Sequence, residues 1–95
     1  MTNTPTYDFT KLQGLLQSAG ITVSDASEIF KVSRQTLYAW MRGTPPNQKL
    51  LLDTAERLVG IIGRAVKSKD LPVVDADDEK RFNEIMLRLK RHINA

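Results

Sequence analysis

TVSDASEIFKVSRQTLYAWMRG, residues 22–43 of a 95-residue chain, reads as two short helices joined by a tight turn. Val23, Ala26, Ile29 and Phe30 recur at three and four residues, so they share one face of a helix over 23–30. Lys31-Val32-Ser33 forms the turn. Ser33 suits an N-cap, because its hydroxyl can accept a bond from an orphan amide of the following turn. The second helix covers 34–42, and Gly43 is a natural stop because it tolerates left-handed backbone. Val32, Leu37, Trp40 and Met41 face inward in this reading. Arg34, Gln35, Thr36, Tyr38, Ala39 and Arg42 face out.

That outward set is suited to base-edge and phosphate contact, with two bidentate side chains (Arg and Gln), a short hydroxyl and an aromatic tip. The stretch resembles the helix-turn-helix of the Cro/repressor (Xre-type) family of bacterial and phage regulators. Thr22, Glu28, Phe30, Val32-Ser33-Arg34, Thr36-Leu37, Trp40 and Arg42-Gly43 carry the resemblance. It implies that the second helix is a recognition helix lying in the DNA major groove. Two positions depart from the pattern. Lys31 stands where the family usually has Gly, in a turn that often needs positive φ, and Ser27 stands where a small Ala is usual.

Working toward the amino end, residues 1–8 read as a disordered tail and 9–19 as the first helix of a trihelical core. Phe9, Leu12, Leu15, Leu16 and Ala19 give that helix its apolar face. Thr10 to Gln13 has the form of a capping box, with Asp8 as a competing cap. Gly14 costs up to about 1 kcal/mol against Ala and suggests close helix packing. Gly20 ends the helix.

Toward the carboxyl end, Thr44-Pro45-Pro46-Asn47 is a hard break, and Asn47 can cap a long helix over 48–67. Leu51, Ala55, Leu58, Ile62 and Ala65 make its stripe, widened by Leu52, Val59 and Val66, and Gly60 and Gly63 would admit a close neighbour. Leu71-Pro72-Val73-Val74 is extended. Asp75, Asp77, Asp78 and Glu79 then open a last helix, where acids favour the macrodipole. Its stripe is Phe82, Ile85, Met86, Leu89 and Ile93, and Arg88, Lys90, Arg91 and His92 complement its end. The fold expected is all-α, about five helices, with a helix-turn-helix core over 9–43 and a two-helix extension over 44–95 arranged as an αα-hairpin. The core is too small to cover the stripe over 48–67, so a homodimer is expected.

Composition narrows the chemistry. The chain has no cysteine, which excludes disulfides and thiolate metal sites. No secretory leader is read in MTNTPTYDF, and the apolar run over 58–62 is too short to span a bilayer. The net charge is +3, with residues 44–69 carrying five basic against two acidic side chains and residues 70–95 five against six. The acids at 75–79 lack the ligand spacing of a calcium loop, and His92, the sole histidine, cannot make a zinc site alone. With no nucleophile–base pair and no phosphate-cradling Gly loop, no catalytic residue, metal, cofactor or small-molecule substrate is expected.

The residues assigned to base contact are Arg34, Gln35, Thr36 and Tyr38. Those assigned to phosphate contact are Ser24, Lys31, Ser33, Arg42 and Lys49, with Ser24 and Ser33 also capping helices. Trp40 is assigned to the core. The expected function is a transcriptional regulator that binds double-stranded DNA in the cytoplasm of a bacterial host cell. One alternative is a low-specificity architectural or transposition-associated protein, since the chain also bears a looser resemblance to small DNA-binding proteins of Mu-like transposable phages. The other is a protein-interaction module.

Overall fold

The structure is a computed structural model that describes residues 6–74 and 77–93. Among these residues the chain is all-α, with five α-helices: α1 Leu12–Ala19, α2 Val23–Phe30, α3 Arg34–Met41, α4 Lys49–Lys67 and α5 Asp78–Lys90. A tighter 3₁₀ turn, Phe9–Lys11, leads into α1. Asp8 caps that turn by accepting the Thr10 amide at 3.0 Å, so the competing cap forms and the capping box does not. At the start of α4 the N-cap position is Gln48, whose side chain makes no capping bond; the sequence had pointed to Asn47.

Residues 6–8 are not a free tail. The Glu56 carboxylate accepts the Thr6 amide at 2.6 Å, the Thr6 hydroxyl at 2.9 Å and the Tyr7 amide at 2.9 Å. Tyr7 lies edge-on against Phe9 at 5.1 Å. This corrects the disorder expected over 1–8 for its last three residues; residues 1–5 lie outside the described part. The clasp could not be read locally because its acceptor lies fifty residues along the chain. Partial burial opposes ionisation of Glu56, but the hydrogen bonds from Thr6 and Tyr7 outweigh it and hold its pKa below the ordinary 4.5. A depressed carboxylate stabilises the fold above its unfolded pKa, and that contribution fades as pH falls through the lower, folded value. Glu56→Gln should therefore lower Tm at neutral pH, with the gap to wild type closing as pH drops below 4.5. Thermal melts across pH check this.

All five helices share one apolar core. Leu12, Leu16 and Ala19 of α1 and Leu52, Ala55, Val59 and Ile62 of α4 are all buried in it, and α1 is the chief neighbour of α4. Ile61, which lies outside the stripe read from sequence, is buried as well. Much of the stripe of α4 is covered within one chain, because α5 adds Ile85 and Leu89, both buried, to the cover that 9–43 gives; Leu51, Leu58 and Val66 are only partly buried. Leu50, at 83% exposed, remains outside it, as do Leu87 on α5 and Ile93 just beyond its end, although the sequence places Ile93 on the inner stripe. A Cβ at Gly14 or Gly63 would meet nothing within 4 Å, and one at Gly60 would meet only the Arg64 guanidinium at 3.5 Å. These three glycines therefore do not mark close helix approaches.

Four helices end in left-handed backbone, at Gly20, Lys31, Gly43 and Lys69. In each case the next amide reaches back to a carbonyl of the last turn: Ile21 to Leu16, Val32 to Ser27, Thr44 to Ala39 and Asp70 to Ala65. These are Schellman closures. A left-handed lysine costs about 1 kcal/mol that a glycine would not. At Gly20 a Cβ would also stand 2.7 Å from the Pro72 Cβ, because the connector after α4 folds over this point and buries Leu71. Gly20→Ala should destabilise by about 2 kcal/mol, from backbone strain plus displacement of Pro72. Gly14→Ala, in open space on α1, should stabilise by up to about 1 kcal/mol. Denaturant unfolding of the pair tests both signs.

The last two helices depart from a simple αα-hairpin. α5 starts beside α2, where Asp77 caps it by accepting the Lys80 amide and Arg81 faces Asp25 at 3.9 Å. It finishes where α4 finishes: Arg64 donates to the His92 carbonyl at 2.9 Å, and His92 Nε2 lies 2.7 Å from the Asp70 carboxylate. The connector with buried Leu71 carries the chain past Gly20 toward Asp25 of α2 before α5 returns. Hydrogen bonding by His92 and, against some desolvation, the charge of Arg91 hold the Asp70 carboxyl below its ordinary range. Of the acids expected to open α5, Asp75 lies outside the described residues.

Candidate nucleic-acid interface

The α2–α3 unit is fixed at its corners. Thr22, not Ser24, caps α2, accepting the Asp25 amide at 3.1 Å. The Ser27 hydroxyl, in place of the usual Ala, donates to the Ser24 carbonyl at 2.8 Å. Lys31 adopts φ 60° and ψ 40°, so the turn keeps the conformation a glycine would give it. Ser33 caps α3 by accepting the Thr36 amide at 3.1 Å. The inner face of α3 is closed: Leu37 and Trp40 are buried, and Trp40 meets Phe9 and Phe30 edge-on at 5.6 and 6.0 Å. Trp40 is therefore a core residue, as its spacing indicated.

The outer face is open. Arg34 and Gln35 are exposed, and Tyr38 is 46% exposed. Among the described residues none of these three side chains has a hydrogen bond or ion pair. Arg34, Tyr38 and Arg42 follow one another at four-residue steps and so line one edge of the helix. Lys31 and Ser33 flank its amino end, both exposed. Ser24 lies exposed in the first turn of α2, and Lys49 opens α4 beyond the loop with buried Pro46. Thr36 behaves differently. Its hydroxyl pairs with that of Ser33 at 2.9 Å, and the residue is partly buried. Two hydroxyls bonded to each other leave one O–H free, so Ser33 and Thr36 together offer one outward donor rather than two. Sequence spacing places these residues three apart but does not reveal that one hydroxyl donates to the other.

Comparison with protein-family models, with curated proteins and with solved structures finds no match. The reading of this surface therefore rests on its own geometry: a capped helix with two fork-shaped polar side chains and a phenol outward, and cations at both ends. A fork of donors can grip a guanine edge, and an amide can pair with adenine. Among the described residues no three His, Asp or Glu side chains stand close enough to hold a metal ion, and no helix is long and apolar enough to cross a membrane.

Proposed function

We propose that this chain binds double-stranded DNA and reads it through the major groove with α3, as a bacterial or phage transcriptional regulator of the Cro/repressor kind acting in the cytoplasm. The observation that carries this is the exposed, unengaged row of Arg34, Gln35 and Tyr38 on a helix whose opposite face is locked into the core. Lys31, Ser33, Arg42, Ser24 and Lys49 supply phosphate contacts that set the register. A second copy fits the reading: two α3 helices would read half-sites one turn apart, and Leu87 on α5 and Ile93 just beyond it are exposed apolar side chains left for it.

The test is a titration of the intact chain with duplex DNA across salt, with amide chemical shifts followed at saturation. Binding should weaken with a log–log slope of about −0.9 for each phosphate neutralised. The perturbed amides should centre on 31–42. No binding at about 50 mM salt would leave the protein-interaction alternative standing. The bonded Ser33–Thr36 pair and the small Ala39 leave few base readers on α3, which favours low-specificity binding as a second reading. Competition with random DNA separates the two, since a regulator keeps a large preference for its own site.

A further inference from the structure

Positive charge also gathers at the carboxyl ends of α4 and α5. Because α5 ends where α4 ends, Arg64, Lys67 and Lys69 are brought to the same pole as Arg88, Lys90 and Arg91. Among the described residues only Asp70 and Glu84 offset these six cations, leaving a surplus of four. Basic residues at helix ends are ordinarily explained by the macrodipole. Two carboxyl ends amount to about one negative charge together, so that explanation leaves about three positive charges over. Arg64, Arg88 and Arg91 are engaged with the His92 carbonyl, Glu84 and Asp70. Lys67, Lys69 and Lys90 are exposed and make no ion pair among the described residues.

Lys69 adds a second, independent observation. It holds φ 68°, a left-handed conformation that glycine adopts freely and lysine does not. Only one other non-glycine described residue has positive φ, and it is Lys31 in the α2–α3 turn. At both places the chain ends a helix with a strained lysine and projects its ammonium into solvent. Strain kept at an exposed side chain points to a use for that side chain.

We infer that the pole formed by the carboxyl ends of α4 and α5 is a second phosphate-binding surface, which takes the backbone of a nucleic-acid duplex other than the segment under α3. The nineteen residues of α4 set this pole about 28 Å along the helix from Lys49. Lysines act as point charges without the planar fork of arginine, so the surface grips phosphate with no base preference. The identity of the polyanion rests on the DNA-binding reading of α3, whereas the charge surplus does not.

The experiment mixes donor- and acceptor-labelled random-sequence duplexes with the intact chain at about 50 mM salt and reads energy transfer between them, alongside single-duplex titrations across salt. Lys67→Gln/Lys69→Gly/Lys90→Gln should abolish transfer and reduce the salt slope by about 2–3, near 0.9 for each lost contact. Lys69→Gly alone should melt no lower than wild type and still reduce transfer, so the loss cannot come from unfolding. Unchanged transfer and slope in the triple variant would overturn the inference. So would retention on phosphatidylserine vesicles that the triple variant loses while its duplex binding stays intact. Arg34→Ala/Arg42→Ala separates this surface from the reading of α3. If that double variant leaves duplex binding untouched while the triple variant abolishes it, the α3 reading fails and the pole stands.

Discussion

Trp40→Ala should lower the unfolding free energy by about 3–5 kcal/mol, a large part of the roughly 5–15 kcal/mol available to a domain this size. The ring is 3% exposed and is contributed by α3, yet its neighbours come from elsewhere: Phe9 before α1 and Phe30 at the end of α2. Tyr7 extends the same row against Phe9 at 5.1 Å, and its chain is tied to α4 through Glu56. Removing the indole thus empties the joint between α3, α2 and the amino-terminal segment. Trp40→Phe keeps an aromatic ring in place and should lose much less. Since this is the only tryptophan, unfolding of both variants is best followed by far-UV circular dichroism rather than fluorescence. Two variants within 1 kcal/mol of wild type would show that the row of rings does not hold α3 in place.

How much of this was legible in sequence depends on how local each cause is. Although the cap of α2, read at Ser24, lies at Thr22, Ser33 and Gly43 act within five residues, so the start and stop of α3 followed from local spacing. The same holds for the inward positions Leu37 and Trp40, fixed by helical period. What escaped was set by distant partners. Glu56 orders Thr6 and Tyr7 across fifty residues, and no tail composition reveals that. Leu71 reads as part of an extended connector, yet it is buried, and its burial sends the chain past Gly20 and turns the expected hairpin into a returning helix. The glycines of α1 and α4 misled for the converse reason. Small size permits close packing without requiring it, and at Gly14 and Gly63 nothing approaches. At the candidate interface, sequence supplied the residue types and the face they share, but not that the Ser33 and Thr36 hydroxyls bond to each other and leave a single free donor.

Arg34→Ala should weaken binding to the preferred sequence by up to about 3 kcal/mol, roughly 150-fold, and flatten the preference at one base pair. Arg34 is the first residue of α3, exposed and without a partner among the described residues. A cation there opposes the positive end of the helix dipole, and alanine is the better helix former. The folded state therefore gains nothing from Arg34, and the variant should be as stable as wild type or better by a few tenths of a kcal/mol. A loss of affinity without a loss of stability is what a residue kept for an external partner should give. Arg34→Lys sharpens the point. It keeps the charge, so the salt slope should hold, but it lacks the planar fork that spans two acceptors on a guanine edge, so discrimination should fall. If the lysine variant kept both slope and base preference, Arg34 would be touching phosphate alone, and the reading of sequence would have to pass to Gln35 and Tyr38.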